Sequence, residues 1–394
     1  MAEPVLITHK AALLLYYVDH TVRFERNTGI QRCVRCLGSA LLEQRQLLVP
    51  VVWDRKANNL KAASAVSRLH LARWGGPDPA QWADSKEHID MADALWLIIP
   101  ELVSGPHNPS IEQVFLESKK LDVKVAWLFH DAIPLRLPQM YGHQSQAAAE
   151  CHATYMKGLA IFELILANSK TTANHLRQFW EQQRIKPAAR LTAVPLAQEF
   201  PAQQRLQRLE GEGSIVLCVG SLEPRKNHLR LLKALIWLAA HRIWPVSLKL
   251  VLVGWPNDKQ VVLMVNRALS LGLPLCWEQS VDDEHLLDLY RQTLFCVYPS
   301  LEEGYGLPVA ESLWHRRPCL CSGEGAVGEL AALGGCLMVN TRDWKQLCQG
   351  LNLMLIGKEL RSNLQQAIDR RSLRLWSDVA NEWNHELRVN EVLP

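Results

Sequence analysis

The 394-residue sequence has no long apolar run and no cluster of basic residues. No stretch approaches the roughly 18 apolar residues that a membrane-spanning helix needs, so we expect no such helix. The first residues lack a basic segment followed by an apolar one, and we expect no secretory signal. With a formal net charge of only +3 and no polybasic tract, the chain is not expected to bind nucleic acid. These absences leave an ordinary globular protein, in which 48% of the residues are hydrophobic.

The sequence also lacks the paired cysteine motifs of a zinc site. Its ten cysteines include two close pairs, Cys33 with Cys36 and Cys319 with Cys321, but neither has a second pair at zinc spacing. The others are scattered through apolar segments, as reduced thiols commonly are. We therefore expect a cytoplasmic protein. Because basic residues slightly outnumber acidic ones in residues 1–200, we also consider peripheral contact with the inner face of the cell membrane.

Strand and helix patterns alternate almost throughout the chain, which predicts parallel sheets and an α/β fold. The predicted strands are 12–18, 48–52, 94–99, 123–129, 164–167, 191–194, 215–219, 248–253, 275–277, 295–298, 318–321 and 336–339. The predicted helices include 30–43, 171–183, 229–241, 260–271, 284–291 and 309–315, and 344–387 is expected to be mostly helical. Residues 54–92 have no clear period and are interpreted as an insertion of loops and short helices.

One polar segment, residues 198–213, ends in Gly-Glu-Gly and predicts a domain boundary. We therefore divide the chain into domains at 1–200 and 201–374. Both have the strand and helix alternation of a doubly wound, Rossmann-like domain. Two such domains of similar size predict a ligand site in the cleft between them.

The segment Ser300-Leu-Glu-Glu-Gly-Tyr-Gly-Leu-Pro-Val-Ala-Glu311 is the most informative in the chain. It places Glu303 after a predicted strand and Glu311 in the first turn of the next helix, where an open α/β sheet binds ligands. Pro308 at the start of that helix leaves the N–H groups that follow it free to face an anion. Two acids beside an anion site suggest a ligand with both phosphates and hydroxyls, such as a sugar nucleotide.

A second motif, Gly220-Ser-Leu-Glu-Pro-Arg-Lys-Asn-His228, follows the first strand of the second domain. Gly220 permits a tight turn, and Arg225 and Lys226 are adjacent cations at the end of the strand. Fixed cations stabilise a pyrophosphate leaving group as its bond breaks. No Asp-x-Asp pair, the usual means of holding a metal on a diphosphate, occurs in the sequence. We therefore predict that the two cations replace a metal, and that no cofactor is needed.

In this order, residues 220–227, 253–255 and 303–311 resemble the retaining glycosyltransferases of family 4, which have the GT-B fold of two Rossmann-like domains facing a cleft. The resemblance implies that Glu311 binds the ribose, Glu303 contacts the donor sugar, and Arg225 and Lys226 hold the diphosphate. Backbone N–H groups around Leu307 would help. The motif residues also expected at the donor site are Gly220, Gly304, Tyr305 and Gly306. The last residues, about 375–394, resemble the closing helix that completes the N-terminal, acceptor-side domain.

The first domain carries three further candidates. Asp19–Arg32 contains Thr-Gly-Ile-Gln-Arg and resembles family members that build bacterial surface polysaccharides, often with mannose or rhamnose. Its Gly29 would let the backbone approach a phosphate or an acceptor, or it would simply open a helix. His130 resembles the family's histidine near the donor sugar, with Asp131 as an orienting partner or loop cap. Ser169 resembles a residue near the cleft, although a helix N-cap by Asn168 or Ser169 explains the same residues without any function.

The sequence thus predicts a retaining, metal-independent glycosyltransferase. It would move a hexose, mannose or rhamnose-like, from a nucleoside diphosphate sugar to a hydroxyl of a glycan or a lipid-linked acceptor. Two alternatives stay open: a sugar-nucleotide epimerase or hydrolase of the same architecture, and a catalytically idle protein that binds sugar nucleotides. The nucleotide base, the sugar, the linkage and the oligomeric state are not determined by these motifs.

Overall fold

The computed structural model describes residues 13–83, 90–105, 107–200, 204–208 and 213–392. The expectation about a secretory signal rests mainly on residues outside these ranges, and so does part of the predicted domain boundary. The strands are β1 (Leu13–Tyr17), β2 (Leu47–Asp54), β3 (Asn59–Ala62), β4 (Trp96–Ile99), β5 (Lys124–Phe129), β6 (Leu164–Ala167), β7 (Arg190–Ala193), β8 (Ile215–Val219), β9 (Lys249–Val253), β10 (Leu275–Glu278), β11 (Thr293–Tyr298), β12 (Cys319–Ser322) and β13 (Cys336–Val339). The α-helices are α1 (Gly29–Glu43), α2 (Ala65–Leu71), α3 (Ile111–Lys120), α4 (Ile133–Arg136), α5 (Ser145–Gly158), α6 (Lys170–Gln182), α7 (His228–Ala240), α8 (Lys259–Ser270), α9 (Asp283–Gln292), α10 (Leu307–Trp314), α11 (Gly325–Ala331), α12 (Trp344–Ile356), α13 (Lys358–Arg370) and α14 (Trp376–Val392).

The strands form two separate sheets. The first has seven strands in the order β3-β2-β1-β4-β5-β6-β7, and the second has six in the order β10-β9-β8-β11-β12-β13. All described pairings are parallel except that of β2 with β3. In each sheet the first parallel strand lies in the middle and the chain winds outward to both sides, which is the doubly wound arrangement. The predicted fold class is confirmed.

The central strands are apolar because helices cover both faces of each sheet. Every residue of β4, Trp-Leu-Ile-Ile, is buried, and five of the six residues of β5 are buried. Leu97 and Trp127 belong to a core on one face of the first sheet, whereas Ile98 and Leu128 belong to a core on the other. This two-sided burial explains why the strands appear in the sequence as continuous apolar runs.

The interpretation of residues 54–92 as loops and short helices is wrong at one point. Asn59–Ala62 forms β3, which pairs antiparallel with the end of β2 at the edge of the sheet. The strand reads Asn-Leu-Lys-Ala and buries only Leu60, so it has neither an apolar run nor a clear alternation. Helix α2 and 3₁₀ turns follow it, as expected.

Each sheet has one point at which the strand order reverses, between β1 and β4 in the first and between β8 and β11 in the second. In open α/β sheets, ligands bind at the carboxyl ends of the strands beside such a point. The loop after β8 carries Gly220–His228, and the loop after β11 carries Ser300–Gly306. The topology therefore brings the two strongest sequence motifs to the same sheet edge.

The last helix, α14, packs on α1 of the first sheet. Trp383, Val379 and Ala380 are fully buried there. Gln44 at the end of α1 donates to the Ser377 carbonyl at 2.9 Å. The chain thus returns to its first half after the second sheet is complete. Among the described helices, none is long and apolar enough to cross a membrane.

Candidate active site

A cleft of about 560 Å³ is lined by loops and helix ends from both sheets. It contains most of the residues that the motifs single out. Those that line it are Gly29, His130, Gly220, Arg225, Lys226, Glu303, Gly304, Tyr305, Gly306, Leu307 and Glu311. Surfaces from the first and the second half of the chain therefore meet at one site.

Glu303 lies between the two predicted diphosphate cations. Its Oε2 accepts from Arg225 Nη1 at 2.9 Å, and its Oε1 accepts from Lys226 Nζ at 2.7 Å. Oε1 also accepts from the hydroxyls of Tyr298, at 2.8 Å, and Ser300, at 2.5 Å. The Glu303 carboxylate thus accepts from four side chains and fixes both cations in place. The sequence motifs did not indicate this structural role.

The charged side chains around Glu303 determine one another's ionisation. Burial opposes ionisation of Glu303, but the Arg225 and Lys226 charges outweigh it and lower the pKa of the carboxyl to about 2. Burial also disfavours the Arg225 cation, but Glu303 and Glu223 outweigh it and raise the pKa of the guanidinium. Arg225 Nη2 lies 2.8 Å from Glu223. Two cations and two carboxylates therefore make this edge of the cleft close to neutral.

The loop that follows β11 is shaped by two glycines. A Cβ on Gly304 would lie 2.0 Å from the carbonyl oxygen of His130, so this loop touches the first domain too closely for any side chain. Gly306 has a φ of 102°, which L-residues rarely adopt, and it is the N-cap of α10. The hydroxyl of Tyr305 donates to the Leu196 carbonyl at 2.6 Å. These contacts hold the loop against the opposite side of the cleft.

Two helix N-termini meet in the cleft. A Cβ on Gly29, the first residue of α1, would lie 3.1 Å from Leu307 Cδ1, the first residue of α10. Neither helix has a side-chain N-cap bond. In the described part of the chain the N–H groups of Gly29 and Leu307 have no acceptor. Partial positive charge from both helices therefore converges on the same space, which suits an anion.

The expectation that the N–H groups after Pro308 are free is wrong. The N–H groups of Val309 and Ala310 both donate to the Gly306 carbonyl, at 3.0 and 3.1 Å. The free groups lie before the proline, at Gly306 and Leu307, where a tight left-handed N-cap replaces an ordinary one. The N–H groups that could face an anion therefore lie nearer to the loop than predicted.

Glu311 is the fifth residue of α10 and so starts its second turn, not its first as predicted. The side chain is almost fully buried. Its Oε1 accepts from Arg32 Nη1 of α1, and its Oε2 accepts from the Tyr290 hydroxyl at 3.2 Å. Burial raises the pKa of this carboxyl, although Arg32 acts in the opposite direction. Glu311 on helix α10, beside the second sheet, is thus bound by Arg32 on helix α1, beside the first sheet.

His130 follows β5 and is buried at the edge of the cleft. Its Nε2 lies 2.7 Å from the Pro100 carbonyl oxygen, which can only accept, so Nε2 carries the proton. Burial lowers the pKa of the imidazole and keeps it neutral. Nδ1 is then an acceptor. Asp131 Oδ1 accepts from the Ile133 N–H at 2.9 Å and so closes the turn that leads into the short helix α4, which fits the alternative of a loop cap.

Ser169 does not line the cleft in this structure. Its hydroxyl accepts from the Thr172 N–H at 3.0 Å and donates to the Thr172 hydroxyl at 2.9 Å, which makes it the N-cap of α6. The preceding residue, Asn168, lines the cleft instead. The alternative of a helix cap thus describes the geometry of Ser169.

Several residues of the site have no role in the sequence motifs as interpreted. Tyr290 and Tyr298 bind the two glutamates, but a tyrosine in a helix or strand has no signal of its own. Arg26 lies over the Trp255 ring at 3.7 Å and joins the two sides of the cleft. Arg32 could have been predicted from the sequence. It comes three residues after Gly29, and this spacing places both residues on the same face of α1.

Residues 200–371, which hold both cation and glutamate motifs, match the family model of glycosyl transferases group 1. This segment is a group 1 glycosyltransferase domain. Over 332 residues the chain is 29% identical to a serotype-specific mannosyltransferase, WbdA, from Escherichia coli, covering 78% of this chain and 38% of that protein. It is 26% identical over 160 residues to a GDP-Man:Man(3)GlcNAc(2)-PP-Dol alpha-1,2-mannosyltransferase from Dictyostelium discoideum, covering 38% of this chain and 32% of that protein.

The fold comparison extends beyond the group 1 glycosyltransferase domain to the whole chain. The sucrose-phosphate synthase structure from Thermosynechococcus elongatus superposes with a TM-score of 0.64 at 15% identity, covering 96% of this chain and 99% of that one. At this identity the likeness shows the fold alone, which is GT-B. The chain spans 38% of the length of the WbdA relative, so it corresponds to a part of that protein.

Proposed function

We propose that the chain is a retaining mannosyltransferase. It takes mannose from a nucleoside diphosphate mannose, with GDP-mannose as the favoured donor, and transfers it to a hydroxyl of a growing glycan. The observation that carries this proposal is one cleft in which a group 1 glycosyltransferase domain presents Arg225, Lys226, Glu303 and Glu311. The names of the bacterial and Dictyostelium relatives support mannose and GDP.

In this proposal the donor lies along the edge of the second sheet. The ribose hydroxyls bind Glu311, and the diphosphate lies between the Arg225–Lys226 pair and the N-termini of α1 and α10. Because Glu303 and Glu223 already balance the two cations, the helix N-termini carry a large share of the attraction for the diphosphate. These groups are the proposed substitute for a divalent metal.

The proposed reaction retains the anomeric configuration by substitution on one face of the sugar. The acceptor oxygen forms a bond to the anomeric carbon on the side from which the diphosphate leaves. The leaving phosphate oxygen takes the proton of the acceptor hydroxyl, and Arg225 and Lys226 stabilise its remaining charge. Neutral His130, with Nδ1 as an acceptor, is suited to hold a hydroxyl of the transferred sugar. The close approach of the loop at Gly304 to the backbone of His130 would limit the entry of water.

The test has two stages with the purified protein. First, binding of GDP, UDP, dTDP and ADP is measured by thermal shift, with and without EDTA. A ligand at a hundred times its dissociation constant adds about 2.7 kcal/mol to stability, so one nucleotide is expected to stand clear of the others. We expect GDP, insensitivity to EDTA, and loss of the shift in Glu311→Ala. No shift with any nucleotide would contradict the proposal.

Second, GDP-mannose is incubated with mannose oligosaccharides, and the product is analysed by proton NMR. An α-linked product from the α-linked donor supports retention, whereas a β-linked product excludes it. Consumption of the donor without an acceptor would favour the hydrolase or epimerase alternative. Tight GDP binding with no turnover on any acceptor would favour the idle binding protein.

Arg225→Ala is expected to lower kcat by roughly 100-fold or more. Unchanged turnover in this variant would rule out the proposed role of Arg225 in stabilising the leaving diphosphate.

A further inference from the structure

The buried pair of Arg32 and Glu311 joins the two sheets at the point where the ribose is proposed to bind. Arg32 lies on α1 and Glu311 on α10, and both line the cleft. Their side chains are only 15% and 7% exposed. An ion pair this far from water is not a loose surface contact, because each charge depends on the other for compensation.

Arg32 is held in place from a second direction. Its guanidinium lies over the ring of Phe200 at 4.3 Å, in the segment that connects the two sheets. The Phe200 ring packs against one face of the Arg32 guanidinium, while an N–H group at the edge of the guanidinium donates to Glu311. The orientation of the Glu311 carboxylate is therefore set by a residue from the opposite half of the chain.

The remaining capacity of Glu311 matches a ribose. An ionised carboxylate has about four acceptor positions on its two oxygens. Arg32 fills one position on Oε1, and the Tyr290 hydroxyl fills one on Oε2. One position on each oxygen is left, which suits two vicinal hydroxyls. This geometry requires the carboxylate to be ionised, although burial favours its neutral form, in which one oxygen becomes a donor.

We propose that Arg32 is a positioning residue of the donor site, which keeps Glu311 ionised and turned so that its two open acceptor positions face the ribose hydroxyls. The inference rests on the proposed function, since it takes Glu311 as the ribose ligand. It also gives the acceptor-side half of the chain a direct part in binding the donor nucleotide. Binding of the nucleotide then depends on the two halves being closed.

The experiment compares GDP with 2′,3′-dideoxy-GDP by calorimetry. In the wild-type protein the missing hydroxyls are expected to weaken binding at least tenfold. In Arg32→Met, GDP itself is expected to bind about tenfold more weakly, and removal of the hydroxyls to make little further difference. Arg32→Lys, which keeps the charge but not the planar fork, is expected to restore part of the discrimination. Glu311→Gln is expected to behave like Arg32→Met.

Arg136→Met is the matched control. Arg136 of α4 pairs with Glu302 across the same two halves, but neither residue lines the cleft. The Arg136→Met substitution removes the same kind of contact and is expected to keep the full tenfold discrimination.

If Arg32→Met discriminates the two nucleotides as the wild type does, or if Arg136→Met loses discrimination equally, the positioning role is overturned. If the wild-type protein binds no GDP, the proposed function fails and this inference fails with it. If Arg32→Met does not fold, the Arg32→Lys protein is the deciding variant. Full wild-type discrimination between the two nucleotides in Arg32→Lys would overturn the role of the planar guanidinium of Arg32.

Discussion

At the scale of single residues, Glu303 controls the charge of the cleft. It is the shared partner of Arg225 and Lys226, and two hydroxyls add to the same oxygen. A buried carboxylate with this set of donors stays ionised far below its ordinary pKa. Its first task is to hold the two cations apart and in place, and any contact with the donor sugar comes in addition.

This arrangement predicts an acid-dependent contribution to stability. The pKa of Glu303 is about 2 in the folded protein and 4.5 in the unfolded chain. Because the folded pKa is the lower one, the contribution is complete above about pH 4.5 and is lost as the pH falls toward 2. The shift corresponds to roughly 3 kcal/mol. Glu303→Gln is expected to lower the free energy of unfolding by about that amount at pH 7, and the difference from wild type is expected to shrink between pH 4.5 and 2.

The measurement is urea unfolding at several pH values. Glu150→Gln is the control, since it removes one carboxylate from an exposed position on α5. It is expected to change the free energy of unfolding by less than about 0.5 kcal/mol throughout. A Glu303→Gln protein whose deficit stays constant down to pH 2 would show that the ion pairs do not stabilise the fold.

At the scale of elements, the loop between β11 and α10 determines how closely the two halves approach. Gly304→Ala places a methyl group 2.0 Å from the His130 carbonyl oxygen, and neither backbone can move without separating the cleft walls. We expect a loss of about 1–3 kcal/mol in stability and a clear loss of nucleotide affinity. Gly29→Ala is the comparison, because its methyl meets only the end of the Leu307 side chain, which can rotate away.

Thermal unfolding and GDP titration of the two variants check this prediction. Gly304→Ala is expected to lower the melting temperature by several degrees, and Gly29→Ala by little. Equal stability and affinity in the Gly304→Ala and wild-type proteins would mean that the halves do not need this contact.

The same scale shows what the sequence can and cannot predict. The predicted strand at 215–219 coincides with β8, and that at 164–167 coincides with β6, because buried parallel strands are short apolar runs bounded by turns. The edge strand β3 was missed because it is half exposed and too short for a pattern. The site motifs lie in the loops that leave the central strands, and local turn chemistry marks them in the sequence. Contacts such as Arg32 with Glu311 join residues 279 positions apart, and no local pattern carries that information.

At the scale of the whole molecule, the order of the chain differs from the order in space. The last helix, α14, leaves the second half and covers α1 of the first. Trp383 of α14 is fully buried in the core that also contains Leu37 and Leu41 of α1. Arg190 Nη2, at the start of β7, pairs with Glu386 of α14 at 2.8 Å. The stability of the first sheet therefore depends on a helix that follows the whole second sheet in the sequence.

This dependence predicts a large effect from a residue remote from the cleft. Trp383→Ala is expected to lower the free energy of unfolding by about 3–5 kcal/mol, since it removes a large buried side chain and leaves a cavity. Trp237→Ala on α7, whose side chain is partly exposed, is the control and is expected to cost far less. Chemical unfolding followed by far-UV circular dichroism gives both values. If α14 only rested on the surface of the first half, the two substitutions would have similar small effects, and α14 would be dispensable for the fold of that half.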